Sequence, residues 1–303
     1  MTRDFKIDFI GIGAAKCATS WVYVCLLEHP QICGSIKKEL NFFKTERHSL
    51  VADDLDHRRF LHKRGIGFYR KYYKNCRKDK IKGEFSVVYM TDKGSPELIK
   101  NYFPEVKIIA ILRNPVERAY SLFWYAKDFM LTEKNENFEK ALERNSKPYI
   151  EDGMYYKQLE RYLKLFPSNN IGVFIIDDLK DNPIKFIQNI YKFLGVDDNF
   201  IPPSIYKKNN EAKIVRIKFL RRIFNGISYL SKFLRKIKLY FIVDGLRELR
   251  FDELILHIKN NFNVKKIDKP EIKEETQKKL KLIFKEDVEK LEKLLNRSLN
   301  SWK

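Results

Sequence analysis

Three apolar runs of strand length, Phe9 to Ile12, Val106 to Leu112 and Ile171 to Ile176, stand out along the chain, and Ile81 to Phe85 reads as a further strand. Runs that are nearly all apolar, with Lys107 the one charged residue in these three, rather than alternating, mark strands covered on both faces, as in a parallel sheet between helices. The segments between them carry helical spacing. Trp21 to Glu28 places Val22, Leu26 and Leu27 inward and stops at His29 and Pro30. A second helix opens at Pro115, with Asn114 placed to cap it and proline in the first helical position. Asp152 to Phe166 aligns Tyr155, Leu159, Tyr162, Leu163 and Phe166 along one side, and Pro183 to Leu194 ends at Gly195. Glu274 to Leu295 closes the chain as a long amphipathic helix, followed by a clasp of Leu299, Ser301 and Trp302. Strand alternating with helix predicts an α/β fold: three layers, with a central, mainly parallel sheet flanked by helices. No linker rich in Gly, Ser or Pro divides the 303 residues, so a single domain over 1–303 is expected, carrying a basic helical segment at about 211–262.

Charge narrows the partners. Sixty Lys and Arg against forty Asp and Glu give a formal net charge of +20. That favours an anionic partner: a nucleotide, a sulfated or carboxylated glycan, nucleic acid or an acidic membrane surface. A lysine-rich composition spread over solvated faces would give the same number. The excess is concentrated in Glu211 to Tyr240, where apolar and basic residues alternate at helical spacing. Such a helix lies on an anionic membrane or polymer, or packs on the core with its cations outward. Lys213 to Lys238 is its most basic stretch. No secretory leader opens the sequence and no window is long and apolar enough to span a bilayer, which points to the cytoplasm. The four cysteines, Cys17, Cys25, Cys33 and Cys76, form no CxxC pair and have no histidine placed to complete a metal site. Reduced thiols are therefore expected, and no metal.

The richest chemistry lies in Ile7 to Ser20, IDFIGIGAAKCATS. An apolar strand ends in small residues, then comes Lys16, then Thr19 and Ser20 as a helix begins. The turn leaves amides unpaired at the positive end of a helix dipole, with Lys16 and two hydroxyls converging there. An ordinary strand-to-helix turn, with glycine and alanine serving only close packing, has the same outline. Walker A form is absent, since Ala15 and Cys17 flank Lys16 where a Mg-nucleotide loop has Gly and Ser or Thr. Cys17 beside Lys16 at a helix start is expected to have a lowered pKa, though no histidine nearby in sequence would make it a nucleophile.

Farther on, Lys37, Lys38 and Glu39 are pinned between Ile36 and the pair Phe42 and Phe43. Glu39 is either a surface ion pair or, if the aromatic pair anchors the turn, a candidate general base held near the loop. Glu84 and Ser86 end the Ile81 strand and can point into a cleft at the carboxyl edge of the sheet. Arg113 and Ser121 can serve one anion if the chain folds back over the helix start; alternatively Arg113 pairs with Glu117. Asp177 and Asp178 cap the next turn or bind metal.

With these residues in place the chain resembles the sulfotransferases that use 3′-phosphoadenosine 5′-phosphosulfate (PAPS), in particular the bacterial and carbohydrate-modifying branch related to heparan sulfate sulfotransferases. Ile10 to Leu27 with HPQI at His29 to Ile32 resembles the 5′-phosphosulfate loop, and KELNFF at Lys38 to Phe43 the next motif. RNPVERAYS at Arg113 to Ser121 resembles the 3′-phosphate motif and is the most specific match; GMYYKQLERYLKLFP and LEKLLNRSLNSW follow in the family's order. The resemblance implies that Ala15, Lys16, Cys17, Ala18, Thr19 and Ser20 hold the 5′-phosphosulfate and that Arg113 and Ser121 hold the 3′-phosphate. It implies Lys16 and Glu39 as catalytic residues, Glu39 as the base that takes the acceptor's proton. It further implies PAPS as donor, PAP as product and no metal, with a hydroxyl of a glycan, glycolipid or small metabolite as acceptor and no nucleic acid. Asn41 stands where the heparan branch has His, and Phe85 where it has Lys, so acceptor recognition does not carry over. The late nucleotide loop is echoed only by Lys207 to Asn210. The readings that compete are a P-loop-type nucleoside or metabolite kinase, and an inactive anion- or membrane-binding protein.

Overall fold

The computed structural model describes residues 5–46, 60–128, 132–133, 136–207, 213–215, 264–266 and 269–303. The chain falls into two compact units, one of Met1–Phe123, Thr132–Asn209 and Ile272–Lys303, the other of Trp124–Leu131 and Asn210–Glu271. In the first unit, β1 (Phe9–Gly13), α1 (Thr19–Glu28) and β2 (Ile32–Gly34) are followed by α2 (Ile66–Arg70), β3 (Ile81–Phe85) and α3 (Ser95–Tyr102). Then come β4 (Lys107–Leu112), α4 (Pro115–Asp128, which runs on into the second unit), α5 (Phe138–Arg144), α6 (Tyr155–Leu163), β5 (Ile171–Ile175), α7 (Ile176–Asp181) and α8 (Pro183–Leu194). In the second unit β6 (Lys213–Val215) pairs antiparallel with β7 (Val264–Lys266), and α9 (Glu274–Leu295) returns to the first.

Five strands form one sheet in the order β2-β3-β1-β4-β5, and every pairing is parallel. All five residues of β1 are buried, as are Ile108 to Leu112 of β4. The strands the apolar runs predicted are therefore the central ones, covered on both faces. Gly11 is required here, because a Cβ would lie 2.2 Å from the Phe85 ring on β3. The chain leaves β1 toward β2 on one side and reaches β4 and β5 on the other, so the carboxyl end of β1 is the point where such sheets bind ligands.

Several details depart from the sequence reading. A three-residue edge strand, β2, lies within Gln31 to Phe43, where no strand was predicted; three residues are too few for a periodicity to register. The helix expected from Asp152 begins at Tyr155, because Glu151–Gly153 forms a 3-10 turn. The start of α6 has no cap of its own. Asp287 of α9 supplies one, accepting from the amides of Tyr156 (2.9 Å) and Lys157 (3.1 Å). Lys213–Val215 is strand rather than helix, and the remainder of the basic stretch to Lys238 lies outside the described residues, as does 47–59.

Two cysteines are not reduced. Pairing β2 with β3 brings the edge strand beside the turn after Tyr73, and Cys33 and Cys76 are joined with their Cα atoms 5.7 Å apart. The expectation of four free thiols is thereby corrected, and the cytoplasmic placement loses the support it took from them, since such bridges form in oxidising surroundings. The bridge closes a loop with a sequence separation of 43. Chain-entropy reasoning gives it about 4 kcal/mol. Reduction, or a Cys33→Ser/Cys76→Ser variant, is expected to lower Tm by several degrees in a calorimetric scan; an unchanged Tm would show that the bridge does not constrain the unfolded chain.

The C-terminal clasp forms as predicted. Leu280, Phe284, Val288 and Leu291 of α9 are buried, and Trp302 is 1% exposed with its ring against Tyr155. Asp177 accepts the Trp302 indole N–H at 3.0 Å, and Asp178 forms a bidentate pair with Arg297 at 2.6 and 2.7 Å. These two carboxylates anchor the chain end. Among the described residues no group of His, Cys, Asp and Glu could hold a metal ion.

Candidate active site

The loop after β1 departs from ordinary strand-to-helix geometry. Lys16 (φ 70°) and Ala18 (φ 56°) both occupy the left-handed region, which non-glycine residues enter at a cost of about 1–3 kcal/mol. Ala14 donates its amide to Ile111 on β4 (2.8 Å), and the carbonyl of Ala18 accepts from Trp21 and Val22. Among the described residues, the amides of Ala15, Cys17, Ala18, Thr19 and Ser20 meet no protein acceptor. Helix α1 has no side-chain cap and no acidic residue in its first turn. A positive helix end, amides that meet no protein acceptor and Lys16 thus lie together at the end of β1, which is the outline of an oxyanion cradle. Thr19 is buried and Ser20 exposed.

Cys17 does not have the activated thiol its position promised. It is fully enclosed, and burial pushes its pKa up to about 11, outweighing the guanidinium groups of Arg118 and Arg113. It is a core residue of the loop.

Glu39 sits on a turn with φ 58°, and Asn41, two residues on, has φ 53°. The aromatic pair does anchor this turn, for Phe42 is 1% exposed and Phe43 fully buried, with their rings in edge contact at 5.0 Å. The Glu39 amide donates to Phe85 O (3.0 Å) and its Oε2 accepts from the Val87 amide (2.9 Å); its Oε1 pairs with Lys38 Nζ. Val87 adjoins the loop as well, since a Cβ on Gly13 would stand 3.3 Å from the Val87 carbonyl oxygen. Val87 thus touches both the Glu39 carboxylate, which is one-third exposed, and the last residue of β1. Downstream, buried Asp92 ties the segment in place by accepting from the amides of Thr45 (2.8 Å), Glu46 (2.7 Å) and Ser95 (2.8 Å).

Arg113 follows β4 directly. Its Nε and Nη2 donate to Glu117 Oε2 at 2.9 and 2.7 Å, so the ion pair weighed from the sequence forms in this structure. Lys180 approaches the same oxygen at 3.6 Å. Ser121 lies six residues into α4, about 9 Å along its axis from Pro115.

Helix α6 braces both sides of the site. Tyr155 donates to the Arg113 carbonyl (2.9 Å), Arg161 to the Met90 carbonyl (2.7 Å) and Tyr162 to the Tyr89 carbonyl (2.7 Å). The end of β4 and the 3-10 turn Val87–Met90 are thus held by one helix. The amphipathic pattern predicted that helix without showing what its polar tips would hold. Glu84 and Ser86 do not point into an open cleft as expected; both are fully buried beneath the Glu39 turn.

Residues 6–236 match the family model described as a sulfotransferase domain. The chain belongs to the sulfotransferase family. Over 216 residues it is 25% identical to human bifunctional heparan sulfate N-deacetylase/N-sulfotransferase 2, covering 64% of this chain and 22% of that protein. Over 207 residues it is 27% identical to mouse heparan sulfate glucosamine 3-O-sulfotransferase 5, covering 65% and 54%. The chain therefore spans between about a fifth and about half the length of these curated relatives. A crystal structure of a sulfotransferase from Alicyclobacillus acidocaldarius superposes with a TM-score of 0.70 at 22% identity, over 98% of this chain and 99% of that one, and so shares the α/β fold.

Proposed function

We propose that this sulfotransferase moves the sulfuryl group of PAPS to a hydroxyl of a carbohydrate-containing acceptor or a small metabolite, with PAP as product. The observation that carries the reading is a row of amides at the end of β1 that meet no protein acceptor, together with a Glu39 carboxylate bonded to Val87, the residue that adjoins Gly13, within a chain of this family. The cradle fits the donor, since several amides at a positive helix end need an acceptor and no carboxylate competes for them. Bound there, PAPS would supply an activated sulfuryl group whose leaving oxygens gain negative charge as the S–O bond breaks.

In this reading Ala15 to Ser20 bind the 5′-phosphosulfate through backbone amides and the two hydroxyls, and Lys16 neutralises charge on the leaving phosphate. Glu39 takes the proton of the acceptor hydroxyl. Its partners place it for that work: the Val87 amide fixes Oε2, and Lys38 Nζ holds Oε1. Arg113 and Ser121 are assigned the 3′-phosphate; for Arg113 this requires the phosphate to replace or share Glu117 as its partner. The names of the relatives support a glycan acceptor, and recruitment of an acidic polymer or membrane surface is assigned to Lys213 to Lys238. No helix of the described residues is long and apolar enough to cross a membrane.

A thermal-shift titration tests the donor. PAP without magnesium at a hundred times its Kd is expected to stabilise the protein by about 2.7 kcal/mol. ADP, which lacks the 3′-phosphate, is expected to do much less. A response to Mg-ATP with none to PAP would overturn the proposal and favour a kinase.

A further inference from the structure

One cluster of titratable side chains takes no part in the proposed reaction yet touches the element that carries it. Glu84 on β3 is completely buried. Its Oε1 accepts from the hydroxyls of Tyr69 (2.7 Å) and Tyr89 (3.2 Å), and its Oε2 from Ser86 (2.7 Å). The Tyr73 hydroxyl stands 3.1 Å from that of Tyr69. Burial pushes the Glu84 carboxyl up to about 7, while the three hydroxyl donors pull the other way and the charge of Glu39 adds to the rise.

Two of those hydroxyls have a second partner. Ser86 Oγ accepts the amide of Asn41 at 3.1 Å, and the Tyr89 oxygen accepts the amide of Phe43 at 3.3 Å. A hydroxyl has one proton. Spending it on Glu84 leaves the oxygen's lone pairs to the backbone amide, so the carboxylate decides which way each hydroxyl faces. Asn41 and Phe43 are the second and fourth residues after Glu39. The turn is thus pinned by the Phe85 carbonyl, the Val87 amide and two hydroxyls that Glu84 orients.

We infer that Glu84 is a positioning residue: by orienting the Ser86 and Tyr89 hydroxyls as acceptors for the Asn41 and Phe43 amides, it holds the left-handed turn that presents Glu39. The part that concerns turnover rests on the reading of Glu39 as the base. Gln at position 84 has nearly the same shape but presents an NH2 where one oxygen was. One of the hydroxyls must then accept from that NH2, and its hold on the turn weakens.

Amide hydrogen exchange read residue by residue on the full chain tests the orientation without any acceptor. Tyr89→Phe is expected to speed exchange at Phe43, Ser86→Ala at Asn41, and Glu84→Gln at one or both, each by about tenfold, the equivalent of one lost hydrogen bond. Amides of β1 and β4 should be unchanged. Exchange at Asn41 and Phe43 that stays at the wild-type rate in all three variants, or in a folded Glu84→Gln alone, would overturn the inference. Tyr89→Phe and Ser86→Ala each remove only a hydroxyl, so unchanged exchange in both would overturn it even if Glu84→Gln fails to fold. A second arm uses PAPS and an unsulfated glucosamine–uronic acid polysaccharide as the probe acceptor. Glu84→Gln should lower kcat by about tenfold to a hundredfold with PAP affinity unchanged, the signature of a misplaced base. Wild-type kcat in Glu84→Gln beside a dead Glu39→Gln would sink the positioning role and keep the base. Full activity in Glu39→Gln would sink the base, leaving the exchange data to judge Glu84's hold on the turn.

Discussion

Glu39→Gln is expected to lower kcat by about 10²–10⁴ and to leave PAP binding intact. The substitution keeps the shape of the side chain and an oxygen for the Val87 amide, so the turn need not move. It removes the lone pair and charge that take the acceptor's proton. Because only the proton-accepting step is lost, the effect should fall on kcat rather than on acceptor KM. Parallel measurements of initial rates and of PAP binding by calorimetry check both halves. If Glu39 is a surface ion pair with Lys38 and nothing more, the variant retains wild-type turnover, since such a pair contributes little. Equal losses in PAP affinity and rate would instead place Glu39 in donor binding.

Lys16→Met should be nearly as costly, about 10²–10³ in kcat, together with weaker PAP binding. Methionine preserves length and apolar bulk at a position whose φ of 70° already strains the backbone, so the loss reports the ammonium charge. In the transition state the leaving oxygens become more negative, and a cation fixed beforehand stabilises that change more than it stabilises the ground state. The amides of Ala15, Cys17, Ala18, Thr19 and Ser20 remain and should retain part of the binding. Loss of PAP affinity at an unchanged kcat would mean that Lys16 binds both states alike, which would remove it from the catalytic step.

Local features of the sequence determined the frame of this protein. Ile108 to Leu112 is buried on both faces because it is apolar at every position, and α8 stops at Gly195 because its φ of 80° suits glycine. The Lys16 loop was legible too, because strand, small residues, lysine and hydroxyls are contiguous. So was the Glu39 turn, since Phe42 and Phe43 had to be buried and the charge between apolar neighbours had to go somewhere. Only the tertiary structure could sort the acidic residues by task. Glu39, Glu84, Asp92, Asp177 and Asp287 look alike along the chain, yet one accepts from the Val87 amide, one accepts from three hydroxyls, one anchors a segment, one receives the Trp302 indole and one caps α6. The partners that fix most of these roles lie outside the residue's own element, up to 131 residues away in sequence. The same holds for the Cys33–Cys76 bridge, which exists because β2 pairs with β3, and for Cys17, whose pKa is governed by burial rather than by its neighbour Lys16. Periodicity and propensity act between residues close in sequence, so they are written there. Burial, and the choice of partner for a buried polar group, depend on which strands and helices meet, and that is settled only when the sheet forms.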